Sequence, residues 1–386
     1  MQVAVYLDDV NNAIDNAMQR LVMSEIASSI PHCRIELIDP LQLGRTQATQ
    51  VLLNQEYDLL LTYNKTGTEL VTPTANERVL SKIKRKHVAW LTEHPLTFYA
   101  DYRSSEGDRH YIFPSASHAS FAHHMKLTGT FSSQLFGSTP IANPPPIEKR
   151  EFDVCIAAQW RGNPDELAFW NRTSGKLREF YEDVLYLQET ITTRDTFTAF
   201  LAALKHHGLD EDTVLTAGDQ LRHLYWYARK RERINLVRAL ANSGLRIALI
   251  GGTEWKAVIP DSRNITYVPP STYDRLKTWY LRSKCVVTTN NFNGASERVF
   301  DGMAAGCVLF SENSPILTDL IGDQNAVFYQ PNRAESSVEQ LHEALNNLNA
   351  PSMAARATKV FLCGHTWTHR ANYLYNLFEQ LVSQNK

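Results

Sequence analysis

A polar loop followed by a helix carries the residues best suited to bind a charged ligand. The apolar run 285–289 predicts a strand, and Asn293 and Gly294 lie in the loop after it. A helix is predicted from about Ser296 to Gly306, where a second apolar run begins. In an open parallel sheet, ligands bind beyond the carboxyl ends of the strands, and a helix N-terminus there offers unpaired N–H groups. This order of elements predicts an anion site that suits a diphosphate.

Two charged side chains on this helix are candidates for ligand contacts. Asp301 lies in mid-helix, where Asp is a poor helix former, and its carboxylate can accept two hydroxyl hydrogen bonds. Arg298 lies three residues earlier on the same helix face, so it either pairs with Asp301 or binds diphosphate oxygens. Gly294 and Ala295, just before Ser296, allow a ligand to approach the backbone closely.

The spacing of these residues resembles the nucleotide-sugar signature of GT-B glycosyltransferases, in particular the group 1 and CgeB-like (spore maturation protein-like) branch. The motif is Asn293-Gly294, then Arg298-Val-Phe300-Asp301, then Ala304-Ala-Gly306. Retaining group 1 enzymes have two glutamates eight positions apart, and Asn293 and Asp301 stand at the matching positions. The resemblance implies that Asp301 binds the ribose diol. Because Asn293 lacks the expected charge, retaining and inverting reactions both stay open.

The order of predicted strands and helices along the whole chain agrees with this resemblance. Strand-like and helical segments alternate in both halves, which predicts parallel sheets covered by helices. The resemblance implies an α/β fold of the GT-B class, with two Rossmann-like domains facing a cleft and a C-terminal helix crossing back to the first domain.

The domain boundaries follow from composition. Four prolines between Gly137 and Pro146 predict a linker. We expect an N-terminal acceptor domain over 1–137, a proline-rich linker over 138–151 and a nucleotide-sugar-binding domain over 152–363. A helical insertion is predicted at about 165–243 of that second domain. The His-Thr…His-Arg motif of Gly364–Arg370 resembles the CgeB-like branch and opens the crossover helix, within 364–386.

Further candidates follow other predicted strands. Arg161 follows the strand 152–158 and either neutralises the donor diphosphate or faces solvent. Tyr267, before two prolines, is expected to help hold the nucleotide base. Glu93 and His94 end a strand of the first domain, in a segment that resembles a Trp-x-x-Asp-x-Pro motif. Either could deprotonate an acceptor hydroxyl, and His94 is preferred because its ordinary pKa is near neutrality. The alternative for this pair is a capping Glu and a partly buried His.

Other conspicuous residues have plainer interpretations. His118, His123 and His124 are expected at the surface, since no nearby carboxylate completes a metal site. The basic run 229–231 and the aromatic run 225–227 predict a solvated helix face with core aromatics.

Composition excludes several classes of protein. A formal net charge of -2 gives no support for nucleic-acid binding. Five cysteines without a CxxC pair predict reduced, mostly buried thiols. The N-terminus lacks a basic region before its apolar residues, and no run reaches the length of a membrane span, so we expect a cytoplasmic protein. Peripheral membrane contact remains compatible with the sequence.

The resemblance implies a glycosyltransferase of the hexosyltransferase type, acting in polysaccharide biosynthesis. It would transfer a sugar from a nucleotide-sugar donor to a hydroxyl acceptor, which is a glycan, a lipid-linked saccharide or a protein. No cofactor and no metal are expected, because protein groups can supply the positive charge. The alternatives are a nucleotide-sugar epimerase and a non-catalytic nucleotide- or glycan-binding protein of the same fold.

Overall fold

The chain forms two compact units, which are described separately. Unit 1 comprises Met1–Gly137 and Thr366–Lys386, and unit 2 comprises Ser138–His365. The computed structural model describes residues 1–7, 15–64, 66–68, 70–72, 77–97, 102, 108–160, 173–190, 196–210, 218–259, 262–289, 295–347 and 349–384. None of the described helices has the length and apolar character needed to cross a bilayer.

Unit 1 is built on a six-stranded parallel sheet with the order β2-β1-β3-β4-β5-β6. Its central strands β3, β4 and β5 are buried along their whole length, which is typical of parallel strands covered on both faces. The strands are β1 Gln2–Tyr6, β2 Arg34–Ile38, β3 Leu59–Tyr63, β4 Lys86–Trp90, β5 Arg109–Phe113 and β6 Thr130–Ser133. The helices are α1 Asp15–Ser29, α2 Pro40–Leu43, α3 Arg45–Asn54, α4 Val79–Lys82 and α5 Ala116–His124.

Two elements of unit 1 differ from the sequence-based expectation. The edge strand β6 was not predicted, because its Thr-Phe-Ser-Ser segment has one apolar residue and is only partly buried. Where the alternation of strands and helices predicts a full helix between β3 and β4, the structure has the single turn α4, and an extended residue at each end limits it to Val79–Lys82.

Unit 2 also has a six-stranded parallel sheet, with the order β12-β11-β10-β7-β8-β9. Counted from the first strand of the unit, this is the 3-2-1-4-5-6 order of dinucleotide-binding folds, read from the β9 edge. The strands are β7 Phe152–Ala157, β8 Ile247–Ile250, β9 Ile265–Val268, β10 Ser283–Thr288, β11 Val308–Glu312 and β12 Val327–Tyr329. The helices are α6 Gly175–Thr190, α7 Thr196–His207, α8 Gly218–Asn242, α9 Tyr273–Leu281, α10 Glu297–Ala304, α11 Pro315–Ile321, α12 Ala334–Asn346 and α13 Ala350–Gly364.

The helices α6 and α7, with the long helix α8, occupy the range in which a helical insertion was expected. The helix α8 leads into β8 and is the crossover helix between β7 and β8. The helices α6 and α7 pack on each other through buried aromatic side chains, with Phe180 and Phe200 rings 5.7 Å apart.

The proline-rich segment 138–150 belongs to unit 2 rather than standing apart from it. Arg150, which is buried, donates to the carbonyls of Pro145, Ser283 and Ala305. These bonds fix the segment to the residues that begin β10 and end α10.

The last helix, α14 (Trp367–Ser383), returns to unit 1 and packs on α1. Arg370 Nε donates to the Phe136 carbonyl at 2.7 Å, and the Tyr373 hydroxyl donates to Ser132 Oγ at 3.0 Å. The indole of Trp367 meets that of Trp90 edge-on. The predicted crossover of the C-terminal helix is therefore confirmed.

A buried histidine in unit 1 makes this unit sensitive to acid. His87 Nε2 lies 2.8 Å from Thr62 Oγ1 inside the sheet. Burial, together with the nearby charge of Arg109, lowers the pKa of His87 to about 3. The unfolded chain then binds more protons than the folded chain between about pH 6.5 and pH 3, so stability falls as pH falls through this range.

We expect the sheet of unit 1 to lose about 2 kcal/mol of stability between pH 7 and pH 5 through His87 alone. Hydrogen exchange of the β3 and β4 amides, corrected for intrinsic rates, measures this loss. His87→Asn should reduce the loss, whereas Thr62→Val, which keeps the titrating ring, should not. Equal losses in His87→Asn and the unmodified protein would contradict the assignment.

Candidate functional site

The order of strands in unit 2 places a topological switch point between β7 and β10. These strands pair in parallel, with Val154 opposite Cys285 and Ile156 opposite Val287. The chain order reverses at this pair, so the connections that leave the two strands lie on opposite faces of the sheet. In open α/β sheets, this switch point at the carboxyl ends is where ligands bind. The residues that follow the two strands, Trp160 and Thr289, flank the switch point.

The crossover helix α8 brings positive charge to the same place. Arg233 Nε donates to Thr289 Oγ1 at 3.2 Å, and Lys230 Nζ lies 5.8 Å from the centre of the Trp160 ring. Between them on the helix, buried Glu232 accepts a 2.5 Å hydrogen bond from the Tyr329 hydroxyl of β12. This bond fixes the rotation of α8. A guanidinium and an ammonium group therefore lie at the strand ends, where they suit phosphate oxygens.

This arrangement corrects the sequence-based interpretation of the basic run. The guanidinium of Arg229 lies 5.3 Å from the Tyr225 ring and 4.9 Å from the Trp226 ring. The guanidinium of Arg231 lies 5.7 Å from the Tyr227 ring. The face is therefore not simply solvated, because its cations stack on the aromatic residues. Lys230 and Arg233 were missed as site residues, although a basic run on a predicted crossover helix was a usable signal.

The helix α10 packs unusually close to the sheet. A Cβ atom added at Gly302 would lie 2.7 Å from Leu309 Cδ2 and 3.3 Å from Val286 Cβ. Only glycine allows this approach of helix to sheet. At the end of α10, Gly306 has φ +63° and Cys307 N donates to the Gly302 carbonyl at 3.0 Å. Gly306 is therefore the left-handed residue that ends the helix.

Asp301, on α10, is the most constrained polar residue of the site. It is 2% exposed. Its Oδ1 accepts hydrogen bonds from Ser138 Oγ at 2.5 Å and from the Tyr273 hydroxyl at 2.8 Å. Both donors reach the same oxygen, and the described residues supply no hydrogen bond to Oδ2. Oδ2 is therefore the oxygen with which Asp301 could hold a ligand hydroxyl.

Opposing effects act on the pKa of Asp301. Burial raises the pKa of Asp301, while the hydrogen bonds from Ser138 and Tyr273 and the charges of Lys277 and Arg298 lower it. Lys277 Nζ lies 4.6 Å from the centre of the Tyr273 ring, one turn along α9. Ser138, Tyr273 and Lys277 were all missed as residues around the predicted ribose carboxylate.

The remaining donor-side candidates have different outcomes. Arg298 is half-buried and, although both residues are described, forms no ion pair with Asp301. The ion-pair interpretation of Arg298 is therefore wrong, and its role at a diphosphate stays a prediction. Ser296 is the residue that precedes α10, and Ala295 beside it is buried. Asn293, Gly294 and Arg161 lie outside the described residues.

Tyr267 lies on β9 at the edge of the sheet, where Lys256 Nζ is 5.2 Å from its ring centre. The neighbouring turn is tight, because Gly251 N and Gly252 N both donate to the Val268 carbonyl. A Cβ atom at Gly251 would lie 1.9 Å from the Ala158 carbonyl oxygen. These contacts bring the ends of β7, β8 and β9 together, and the role of Tyr267 at a base stays a prediction.

In unit 1, the neighbouring residues Glu93 and His94 have different environments. His94 is 1% exposed, and its Nδ1 accepts a 3.3 Å hydrogen bond from Leu96 N–H. Its ring lies 4.9 Å from the ring of His118 and 4.7 Å from that of Phe121. The Nδ1 lone pair is thus engaged by the backbone, so this conformation disfavours His94 as a general base. Glu93 is half-buried and more accessible.

The surface expectation for the histidine-rich stretch is wrong at one position. His118 is 4% exposed because it lies in the first turn of α5 and its ring packs against the ring of His94. His123 is exposed and His124 is half-buried.

Comparisons with known proteins agree with this geometry. Residues 229–376 match a family described as "Glycosyl transferase-like". The matched segment includes Lys230, Arg233 and Asp301, and it does not distinguish the CgeB-like branch. Among curated proteins, no sequence matches this chain.

Several solved structures share the fold along nearly the whole chain. Sucrose-phosphate synthase from Thermosynechococcus elongatus has a TM-score of 0.57 and 10% identity, and the alignment covers 100% of both chains. Anabaena HepE in complex with UDP-glucose has a TM-score of 0.56 and 10% identity, with 99% of both chains covered. A glycosyltransferase from Rickettsia africae ESF-5 has a TM-score of 0.53 and 9% identity, covering 99% of this chain and 98% of that one. The predicted GT-B fold is confirmed, and the family match supports a sugar-transferring function.

The geometry of Asp301 predicts different effects for two substitutions. Asp301→Ala removes the oxygen that accepts hydrogen bonds from two buried hydroxyls, so it should cost about 2–4 kcal/mol of stability in unit 2. Asp301→Asn keeps an acceptor oxygen for Ser138 and Tyr273 but replaces Oδ2 with an amide nitrogen. It should nearly preserve stability and weaken nucleotide binding about tenfold. Thermal unfolding and calorimetric titration with UDP measure the two effects, and unchanged affinity in Asp301→Asn would refute the ribose assignment.

Proposed function

We propose that this chain is a glycosyltransferase that transfers a sugar from a nucleotide-sugar donor to a hydroxyl acceptor. The observation that carries this proposal is the pair of cations, Lys230 and Arg233, at the switch point between β7 and β10. The glycosyl transferase-like match over 229–376 includes both residues. A donor of this class needs a site for a diphosphate leaving group, and these cations supply its charge.

The roles on the donor side follow from the charges of unit 2. Arg233, Lys230 and Arg298 stabilise the negative charge that develops on the diphosphate as the glycosidic bond breaks. The N-terminal N–H groups of α10 contribute in the same sense. Asp301 binds a ribose hydroxyl through Oδ2. In this scheme, protein cations stabilise the diphosphate leaving group during sugar transfer.

The finer identity of the donor rests on analogy. The Anabaena structure with the same fold is a complex with UDP-glucose. We therefore take a uridine-linked hexose as the first donor to test. This choice makes the chain a hexosyltransferase, as the sequence suggested.

We place acceptor recognition in unit 1, with Glu93 as the base of an inverting reaction. Glu93 follows β4 at its carboxyl end, and its carboxylate is half-buried. His94 is better understood as a positioning residue, because the bond from Leu96 N–H to its Nδ1 fixes the turn that begins at Pro95. This assignment reverses the preference for His94 that its ordinary pKa suggested.

Arg233 tests the donor site directly. Arg233→Gln should weaken UDP binding about 10- to 100-fold, because it removes a charged partner of the diphosphate. Arg238→Gln is the matched control on the same helix, since exposed Arg238 donates to the Val258 carbonyl away from the switch point. Calorimetric titration measures both affinities. Equal UDP affinities in the two variants would contradict a diphosphate site at the switch point between β7 and β10.

Glu93 tests the chemistry apart from donor binding. Glu93→Gln should lower turnover by about two to four orders of magnitude and leave UDP affinity unchanged. His94→Asn, which keeps an acceptor for Leu96 N–H, should have a much smaller effect on turnover. Labelled sugar nucleotides with and without acceptors provide the assay, and NMR at the anomeric carbon gives the stereochemistry.

Three outcomes of that assay would overturn parts of this proposal. Normal turnover in Glu93→Gln would exclude Glu93 as the base, and a retained anomeric configuration would exclude an inverting reaction. Sugar-nucleotide isomerisation without an acceptor would indicate the epimerase. Saturable binding without any product would indicate the non-catalytic alternative, for which Asn293 at the expected glutamate position is the motive.

A further inference from the structure

The helical insertion of unit 2 contains a cluster of one carboxylate and two imidazoles outside the donor site. Asp183 lies on α6, and His206 and His207 are the last residues of α7. One ligand atom from each residue lies within 4.8 Å of the other two. His206 Nδ1 and His207 Nε2 lie 2.6 Å and 3.0 Å from the same oxygen, Asp183 Oδ2. In the part of the chain that the structure describes, no other His, Cys, Asp or Glu group converges in this way.

Buried aromatic packing holds the two helices that carry this cluster. Phe180 lies three residues before Asp183 on α6, so both side chains face the same side of the helix. The Phe180 ring meets the His207 ring edge-on, with 6.2 Å between centres, and also packs on Phe200. Phe180 is fully buried and His207 is only 14% exposed. The aromatic core of the insertion thus sets the position of Asp183 relative to His207.

The end of α7 is equally well defined. Gly208 has φ +56°, and Leu209 N donates to the Leu204 carbonyl at 3.2 Å. This is the left-handed glycine cap that ends many helices. His206 and His207 therefore lie in the last turn, where the negative end of the helix dipole favours a cation.

We propose that Asp183, His206 and His207 bind a divalent transition-metal ion, such as Zn²⁺, that links α6 to α7. Two imidazoles and a carboxylate match the ligands that Zn²⁺ uses in proteins, whereas Mg²⁺ and Ca²⁺ prefer oxygen ligands. Tetrahedral ligands at zinc distances lie about 3.4 Å apart. The nitrogen–oxygen distances of 2.6 Å and 3.0 Å would have to widen by less than about 1 Å, which side-chain rotation allows. Water would complete the fourth position.

This site does not depend on the proposed sugar transfer. The cluster uses none of the residues assigned to the donor or the acceptor, and it lies on the insertion between β7 and α8. Binding would add a metal cross-link between two helices that otherwise hold together through side-chain packing and the His–Asp hydrogen bonds of this cluster. The expected consequence is a more rigid insertion in the metal-bound protein.

Zinc competition tests the site on the full-length chain without an affinity tag. Metal-free protein is titrated with Zn²⁺ in the presence of a chromophoric chelator, and one ion per chain should bind. Asp183→Asn, His206→Gln and His207→Gln should each weaken binding at least about tenfold. The double variant His123→Gln/His124→Gln is the matched control, because it removes a histidine pair from the end of α5 and should bind Zn²⁺ as the unmodified chain does.

Hydrogen exchange gives a second readout that does not depend on activity. Zn²⁺ should slow exchange in α6 and α7 of the unmodified chain and of the control, but not in the three ligand variants. His206 is 73% exposed, so His206→Gln should leave the insertion folded. This variant therefore tests metal binding even if Asp183→Asn unfolds the insertion. The absence of competition, or equal affinity in His206→Gln and the control, would overturn the proposal and leave a hydrogen-bonded His–Asp network.

Discussion

The parallel pairing of β7 with β10 is the constraint on which the donor side of this protein depends. Parallel strands need crossover connections, and all their carboxyl ends therefore lie at the same end of the sheet. Because the chain order reverses at this pair, α8 and α10, the helices of the connections that follow β7 and β10, cover opposite faces of the sheet. Trp160 and Thr289 follow the two strands at this point. The crossover helix α8 brings Arg233 within hydrogen-bond distance of Thr289.

The sequence was sufficient for the elements but not for their side-chain partners. Strands such as β3 and β10 are runs of apolar and β-branched residues, and α10 lies between a polar loop and Gly306, so local patterns located them. The edge strand β6 has no such pattern. Arg233 meets a partner 56 residues away, and Asp301 meets Ser138 across 163 residues. No local spacing encodes such contacts, because the tertiary fold creates them.

Asp301 illustrates the difference between locating a residue and assigning its chemistry. Its place in the motif marked it as a ligand-binding carboxylate. Burial of a carboxylate that is 2% exposed raises its pKa, and the hydrogen bonds donated by Ser138 and Tyr273 partly offset this effect. The same two bonds fix the carboxylate with Oδ1 occupied. In the proposed site, Oδ1 has a structural role and Oδ2 is left for the ligand, and no sequence pattern can express such a division between two oxygens of one side chain.

At the amino ends of the strands of the same sheet, a buried cation holds several segments together. The buried guanidinium of Arg150 makes five hydrogen bonds, to the carbonyls of Pro145, Ser283 and Ala305 and to Cys307 Sγ. Five bonds match the five N–H groups of arginine, so its buried donors are satisfied. These partners lie before β7, at the start of β10, at the end of α10 and before β11. The amino ends of the strands are therefore held by a fully bonded internal cation, whereas Lys230 and Arg233 lie near the carboxyl ends of β7 and β10. This division keeps the register of the sheet fixed at the end of the strands opposite to the proposed donor site.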